Sequence, residues 1–177
     1  MNIMGMSEKL KDMFNQQIKH EYDSRNVYFG IESYLRKENW DGFGNFFNIQ
    51  ADEEMVHCRF FMEYLAFVGE NWEMRALEAQ TNEYSSVLDV FQAGLKHEKF
   101  ITSKIHDLYD QAVADKDYHA QKFLDWYIQE QAEEENHFES WLAKIERAQG
   151  GPGMALLDQE AAARMFTFPT TRPVPVL

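Results

Sequence analysis

Cysteine, positive charge and long apolar runs are all scarce in this sequence, and each shortage excludes a class of protein. One cysteine, Cys58, rules out an intrachain disulfide framework and a metal site built from Cys-x-x-Cys pairs. The 177 residues contain 17 Lys and Arg against 30 Asp and Glu, and the net charge of −13 is unlike the basic surface of a nucleic-acid-binding protein. The acidity fits either an ordinary soluble surface or one that attracts cations.

No apolar run approaches the roughly 18 residues that a membrane-spanning helix needs. The start of the chain, residues 1–14, is charged from Glu8 onward and lacks the apolar segment of a signal peptide. We therefore expect no nucleic-acid partner, no membrane partner and a cytoplasmic location.

Helical periodicity dominates what is present. With 45% apolar and 15% aromatic residues, the chain has enough apolar side chains for one domain with a substantial core. Apolar positions recur at helical spacing over four long segments, and no strand-like alternation competes with them. These predicted helices cover residues 7–37, 43–68, 83–113 and, after a turn at 115–117, about 118–149.

The connections between these helices predict how they pack. The first and last joints are short, so each pair of helices forms an antiparallel hairpin, whereas residues 70–82 reach up to roughly 43 Å when extended. That length crosses a whole bundle and leaves the second and third helices parallel. We therefore expect an all-α, four-helix, up-down-down-up bundle with one long crossover.

The sequence after the fourth helix divides into two parts. The run Gly150-Gly-Pro-Gly153 breaks the helix, and residues 154–165 form a short amphipathic segment. Residues 166–177 contain three prolines and are expected to be extended or disordered. We assign residues 1–165 to one domain and residues 166–177 to a C-terminal tail.

Each of the four long helices has an acidic or amide residue in the middle of its apolar face. Positions seven apart lie on nearly the same helix face. The rows read Phe14–Glu21–Tyr28–Leu35, Phe47–Glu54–Phe61–Val68, Tyr84–Phe91–Glu98–Ile105 and Leu124–Gln131–Phe138–Ile145, with Glu134 in the row beside the last. A buried carboxylate is costly unless it is paired or coordinated. Four helices interrupted at the same height therefore indicate a shared metal cluster.

The residue types and their spacing suggest two metal positions. Glu54 and His57 are three residues apart on one helix, and Glu21 is the candidate facing ligand for the first metal. Glu98 and Glu134 are candidates for a second metal, with Glu54 as a bridge. Carboxylate and imidazole ligands together suit iron, manganese or zinc.

Two neighbours complete this set. Gln131, one turn from Glu134, is placed to hold water, an oxygen species or a weakly bound ion, and Tyr28 to donate a hydrogen bond to a ligand carboxylate. The alternative is a polar core layer whose groups pair with one another. Four carboxylates that face at most one imidazole, with no Lys or Arg in those rows, argue against it.

Glu53, Glu130 and Glu133 form a further acidic group beside the first. Glu130, Glu133 and Glu134 share one face of the fourth helix, since they are separated by three and four residues. This spacing fits a solvated acidic face, and it also fits a third metal position near the core.

Taken together, these motifs resemble those of the bacterial non-haem ferritins over residues 7 to about 165. The segments that carry the resemblance are Glu21 with Tyr28, Ala51-Asp-Glu-Glu-Met-Val-His57, Lys96-His-Glu98 and Trp126-Tyr-Ile-Gln-Glu-Gln-Ala-Glu-Glu-Glu135. Ferritin-like bundles carry metal ligands on facing helices. The resemblance therefore implies the ferritin-like version of the bundle, with residues 154–165 as the short fifth helix on the fourfold axis.

The resemblance also implies an activity. It implies a ferroxidase that oxidises Fe²⁺ with O₂ or H₂O₂ and stores the Fe³⁺ as a mineral inside a homo-oligomeric shell of 24 subunits. The implied ligands are Glu21, Glu54 and His57 for the first iron, and Glu54, Glu98 and Glu134 for the second. Gln131, Tyr28 and Trp126 would neighbour the iron pair, and Glu53, Glu130, Glu133 and Glu134 would form a third iron site.

Other interpretations stay open. A bacterioferritin has a second Glu-x-x-His on its fourth helix, where this chain has Gln131-x-x-Glu134. Met55 stands where a haem ligand would fall, but non-haem members also have methionine there, so we do not expect haem. A di-iron oxidase or peroxidase without a large mineral store is a further alternative. A helical scaffold with a docking tail would not need carboxylates in mid-helix.

Overall fold

The computed structural model describes residues 5–174, and within that range every regular element is a helix. The elements are α1 (Glu8–Lys37), α2 (Asp41–Phe67), α3 (Val87–Ala114), α4 (Tyr118–Ala148) and α5 (Gly153–Ala162). The predicted all-α class with four long helices and a short fifth is therefore confirmed. Residues 1–4 and 175–177, the outer ends of the predicted domain and tail, lie outside the described residues.

Two apolar clusters fix the direction of each helix. One cluster joins the starts of α1 and α4 to the ends of α2 and α3, through residues such as Phe14, Phe123, Phe61 and Ile105. The other joins the ends of α1 and α4 to the starts of α2 and α3, through residues such as Leu35, Ile145, Phe47 and Phe91. The helices therefore run up, down, down and up, as predicted.

The crossover between α2 and α3 returns along the side of α1. The amide N–H of Glu73 donates to Asn15 Oδ1 at 2.6 Å, and that of Glu78 donates to Asp23 Oδ1 at 2.9 Å. Further along, a Cβ atom at Gly30 would clash with the carbonyl oxygen of Thr81, so glycine permits this close approach. Side chains of α1 thus satisfy backbone groups of a connection that has no regular structure of its own.

Capping residues set the helix ends. Ser7 Oγ accepts a hydrogen bond from the amide of Leu10 at 3.1 Å, which agrees with the predicted start of the first helix. The third helix was predicted from residue 83 but begins at Val87, because Ser86 Oγ caps the amide of Asp89 at 3.0 Å. Each cap satisfies an amide that has no partner within its helix.

The N-terminus of α2 is capped from another helix. This helix begins at Asp41, two residues before its predicted start, and Trp40 before it makes no capping side-chain hydrogen bond. The carboxylate of Asp158 on α5 accepts from the amide of Phe43 at 2.9 Å, and places negative charge at the positive end of the helix dipole. The start of α2 therefore depends on the docking of α5.

After α5, which ends three residues before its predicted limit, the chain continues without regular structure along α2. Asn45 Nδ2 donates to the carbonyl oxygens of Ala161 and Arg164, at 3.2 Å and 3.0 Å. Val174, at the other end of this stretch, is buried in the cluster near the end of α2. The C-terminal residues that the structure describes are therefore bound to the bundle.

None of the helices in the described part of the chain is both long and apolar enough to cross a membrane.

Candidate metal centre

A layer of buried polar side chains lies between the two apolar clusters. It contains the predicted mid-helix residues, each between 1% and 6% exposed: Glu21, Glu54, His57, Glu98, Gln131 and Glu134. The helices that pack the clusters carry these residues at one height, so the register of the aromatic rows fixes the position of the layer. A carboxylate layer of this kind is unfavourable unless cations compensate it.

Three of these side chains are arranged to share one ion. Glu21, Glu54 and His57 each bring a ligand atom to within 4.8 Å of the others, and within residues 5–174 no other three His, Cys, Asp or Glu side chains do so. His57 Nδ1 lies 3.3 Å from Glu54 Oε2, and Gln17 Nε2 donates to Glu21 Oε1 at 2.8 Å. Glu21 Oε2 is buried and has no hydrogen-bond partner among the described residues. This donor set fits a divalent iron ion.

The other two candidate ligands are held by hydrogen bonds. One oxygen of Glu98 accepts from the hydroxyl of Tyr28, and the other accepts from Gln131 Nε2 at 3.1 Å. Glu134 Oε2 accepts from Gln50 Nε2 at 2.9 Å. Glu98 and Glu134 do not form a second close group with Glu54 in the described structure. Each oxygen of Glu98 accepts one of these bonds and keeps a further lone pair that could coordinate an ion.

Burial raises the pKa values of the acids in the layer. Burial, followed by the charge of Glu134, raises the pKa of Glu98 to about 8, and burial, followed by the charge of Glu53, raises that of Glu134 to about 7. The pKa of Glu54 is well above its ordinary value, chiefly through burial and then repulsion by Glu98. Near neutral pH, Glu98 holds a proton and Glu134 holds one in part, and a bound cation would displace them.

The imidazole of His57 responds in the opposite way to its surroundings. Burial by itself lowers the pKa of His57, but its hydrogen bonds with Glu130 and Glu54 outweigh burial and raise the pKa well above its usual value. Tyr127 donates to the carbonyl oxygen of His57 at 2.6 Å, and the ring of Trp126 packs edge-on against the imidazole at a centroid distance of 5.6 Å. His57 is therefore held on its backbone side and its ring side.

The further acidic group lies on the side of His57 that faces α4. Glu130 Oε1 is 3.5 Å from His57 Nε2, and Glu133 accepts from Gln129 Nε2 at 2.9 Å. Glu53 is paired with Arg164, at 2.7 Å between Oε2 and Nη2. Glu53, Glu130 and Glu133 all line one cavity of about 290 Å³, whereas Glu134 does not line it.

Comparison with known proteins agrees with this architecture. Residues 11–148 match the family described as a ferritin-like domain. The chain belongs to the ferritin family. A probable bacterial non-heme ferritin-like protein of Haemophilus influenzae is 36% identical over 156 residues, which cover 88% of this chain and 94% of that protein. The bacterial non-heme ferritin of Staphylococcus aureus is 35% identical over 162 residues, which cover 91% and 98%.

Solved ferritin structures superpose closely on the bundle. A closed form of the Archaeoglobus fulgidus ferritin, engineered by site-directed mutagenesis, has a TM-score of 0.90 and 30% identity, and the match covers 92% of this chain and 100% of the other. An open-pore ferritin from the same organism has a TM-score of 0.89. The predicted ferritin-like fold is confirmed, and family and fold together support iron storage as the function.

Several contacts of this ferritin centre were missed in the sequence. Gln17 and Gln50 each lie four residues before a glutamate on the same helix face, so their spacing could have revealed them as partners of the layer. Arg164 could not have been found in this way, because it follows α5 and no periodic pattern relates it to Glu53.

Proposed function

We propose that this ferritin is a ferroxidase that takes Fe²⁺ as its substrate in the buried layer and stores the oxidised iron. The observation that carries the proposal is the close group of Glu21, Glu54 and His57. Among the described residues, no Lys or Arg forms an ion pair with either carboxylate, and Glu21 Oε2 has no partner. When these carboxyls ionise, a bound cation would compensate their buried charges.

The first Fe²⁺ would bind to Glu21, Glu54 and His57. The second would bind to Glu98 and Glu134, with Glu54 shared between the two ions. Two Fe²⁺ ions each release one electron, and O₂ accepts both electrons together with two protons to give H₂O₂. Carboxylate ligands are hard oxygen donors that hold Fe³⁺ more strongly than Fe²⁺ and so favour the oxidation.

The protein side chains position the carboxylates for this reaction. Tyr28 keeps its proton, because burial and the charge of Glu98 raise its pKa well above the usual value. Its hydroxyl and the amide of Gln131 therefore orient Glu98 as donors, and Gln50 orients Glu134 in the same way. Such support fixes the direction in which a ligand oxygen points.

Iron arriving at the layer would release protons. Glu98 and Glu134 have pKa values of about 8 and about 7, so each is at least partly protonated at neutral pH. Binding of Fe²⁺ requires both to be ionised, and the protons leave for solvent or for the reduced oxygen. Iron uptake should consequently weaken as the pH falls below 7.

Glu53, Glu130, Glu133 and Glu134 are proposed as a third iron position. Three of the four share the cavity beside His57, which connects this position to the first iron ligands. Iron could pass through it on the way to the mineral. Glu133 lies outside the close group of Glu21, Glu54 and His57 and accepts from Gln129. Its removal should affect this passage without changing the initial oxidation.

We further propose a shell of 24 chains in the cytoplasm, with α5 at the fourfold axis and residues 166–177 as an appended tail. The net charge of −13 per chain suits a cavity that collects cations. The non-haem type is favoured over the bacterioferritin alternative. A haem iron would need the Met55 sulfur as its ligand, but Arg25 Nη1 lies 3.2 Å from that sulfur.

The proposal is tested by adding several hundred Fe²⁺ per assembly in air, followed by size-exclusion chromatography with detection of protein and iron. Iron that elutes with a particle of roughly half a megadalton supports the storage shell. A small particle with about two irons per chain would favour the di-iron oxidase alternative instead. Glu54→Ala, which removes a ligand of the first iron, should prevent this loading. Glu139→Ala, which removes an exposed ion pair with Lys99, is the matched control.

A further inference from the structure

We propose that Arg164 is a positioning residue that serves as the built-in counter-ion of the third iron position. A third iron would have to compete with its guanidinium for the carboxylate of Glu53. The inference rests on the proposed function, because it concerns the site beyond the iron pair. It assigns to the segment after α5 a role in controlling how readily that site fills.

The backbone of Arg164 is fixed to the bundle. Asn45 Nδ2 binds its carbonyl oxygen at 3.0 Å, so the start of the segment is tied to α2. Two contacts with Phe46 fix the position of the guanidinium. Nη1 donates to the carbonyl oxygen of Phe46 at 3.2 Å, and Cζ lies 4.5 Å from the centre of the Phe46 ring. These contacts leave Nη2 to reach Glu53 at 2.7 Å.

Both side chains of the pair are largely buried. The side chains of Arg164 and Glu53 are 18% and 22% exposed. An ion pair in such surroundings is stronger than one on an open surface, because water screens it less.

The remainder of the segment forms the outer wall of the cavity. Residues 166, 167 and 169–171 line the cavity opposite α2 and α4. Beyond it, Phe168 packs edge-on against Phe60 at a centroid distance of 6.0 Å, and Arg172 pairs with Glu63. The segment is therefore attached on both sides of the cavity, by Arg164 at one end and by Arg172 at the other.

The cavity is large and polar enough for a hydrated ion. Its volume of about 290 Å³ corresponds to several water molecules, each of which takes about 30 Å³ in the liquid. His57 forms part of its wall, so the cavity adjoins the proposed site of the first iron. Of the three carboxylates that line the cavity, Glu130 and Glu133 form no ion pair with Lys or Arg among the described residues, whereas Glu53 is paired with Arg164.

Two consequences follow from this arrangement. The iron pair can fill while Arg164 stays on Glu53, because neither Glu21 nor Glu54 contacts the guanidinium in the described structure. A third ion competes with Arg164 for Glu53 and meets the repulsion of its positive charge. Filling of the third position should therefore weaken the side-chain attachment of Arg164 to Glu53 and loosen this end of the segment.

The test is calorimetric titration of the full-length, metal-free assembly with Zn²⁺, which binds similar ligands without redox chemistry. The binding step that is present in the titration of the wild type and absent in that of Glu133→Gln is assigned to the third ion. In Arg164→Gln the third ion should bind about five- to tenfold more tightly, because a positive charge has been removed, while the first two ions bind as before. Arg164→Lys, which keeps the charge, should stay close to the wild type.

Arg172→Gln is the matched control, since it loosens the same segment at Glu63 but leaves the charge beside Glu53 unchanged. It should leave the affinity for the third ion within twofold of the wild type. Equal tightening in Arg172→Gln and Arg164→Gln would overturn the inference, since mobility of the segment alone would then explain it. Unchanged or weaker binding of the third ion in Arg164→Gln would overturn it as well.

Hydrogen exchange provides a second readout. Addition of a third Zn²⁺ equivalent should increase amide exchange in residues 163–171 of the wild type, and two equivalents should not. A wild type that binds fewer than two Zn²⁺ per chain would contradict the proposed iron pair itself. Two ions without a third, in both the wild type and Arg164→Gln, would leave the pair intact and overturn the role of Arg164.

Discussion

Gln50 and Glu134 join α2 to α4 inside the acidic layer, through a 2.9 Å hydrogen bond from Nε2 to Oε2. The other side-chain atom of Gln50, the amide oxygen, is buried and has no partner among the described residues. Gln50 therefore donates to Glu134, while its own amide oxygen accepts no hydrogen bond from the described residues. Its donor bond lowers the pKa of Glu134 against the larger effects of burial and of Glu53.

Gln50→Leu should shift the pH dependence of metal binding. Without the donor, the pKa of Glu134 rises further, so the midpoint of Zn²⁺ binding should move to higher pH by about half a unit to one unit. Titrations between pH 6 and 8.5 measure this shift. Gln111→Ala, which removes an amide bonded to the exposed Asp115, is the control, and an unmoved midpoint in Gln50→Leu would contradict the assigned role.

The metal-free protein should lose stability as the pH rises. On folding, the pKa of Glu98 increases from 4.5 to about 8 and that of Glu134 from 4.5 to about 7. At a pH between the unfolded and the folded pKa values, the folded chain therefore binds more protons than the unfolded chain. Stability then falls with increasing pH across this window. His57 has the same sign, because its pKa is also raised.

Thermal melting of metal-free protein from pH 5 to pH 8 checks this expectation. The melting temperature should decrease across the range, and Zn²⁺ should restore it at pH 8. Glu98→Gln should flatten the dependence, because it removes one of the titrating groups. A melting temperature that increases steadily with pH would be incompatible with the buried, protonated acids.

Loss of a ligand of the first iron should abolish rapid oxidation. Glu54→Ala and His57→Ala remove members of the one close group, so the initial rate of Fe²⁺ oxidation should fall by at least about 100-fold. Stopped-flow absorbance in the presence of O₂ measures this rate. Glu139→Ala should retain the wild-type rate, and a rate in Glu54→Ala that matches it would refute the assignment of the site.

Tyr28→Phe separates orientation of a ligand from packing. The ring stays between Phe47 and Phe138 while Glu98 loses one donor, so the folding stability should change by about 1 kcal/mol or less. The oxidation rate should fall by a few-fold, since Glu98 keeps Gln131 as its second donor. Tyr34→Phe, which keeps the aromatic contact with Tyr84, controls for loss of a hydroxyl.

Asp158→Ala should weaken the attachment of α5. It removes the cap of Phe43, which typically costs about 1 kcal/mol, and the loss lies at the start of α2 rather than in the metal layer. Urea unfolding should show this decrease, with the initial oxidation rate unchanged. A lower rate at full stability would mean that α5 acts on the centre directly.

The sequence predicted the bundle because the features that define it are local and periodic. The seven-residue rows aligned Glu21, Glu54 and Glu98 with aromatic neighbours, and the spacing of Glu54 and His57 identified a ligand pair on one helix. The same rows predicted that the polar residues lie at one height, because the apolar residues of each row pack the helices against one another.

Contacts between distant segments were beyond this reasoning. Asp158 caps Phe43 across 115 positions of the chain, and Arg164 reaches Glu53 across 111 positions. Neither contact follows from a period, because each depends on where a short helix ends and on the route of the chain after it. The sequence rows predicted that Tyr28 donates to a ligand carboxylate, but they did not show that this carboxylate is Glu98 or that Gln131 donates to its other oxygen.

The separation of the apolar core into two clusters has a mechanical consequence. Each cluster closes one end of the bundle with aromatic packing that does not depend on metal, while repulsion between ionised acids would weaken the layer between them. In the proposed function, bound iron would reinforce the middle of the bundle. A chain without iron would keep both ends packed and would be most deformable at the height where the next ion has to bind.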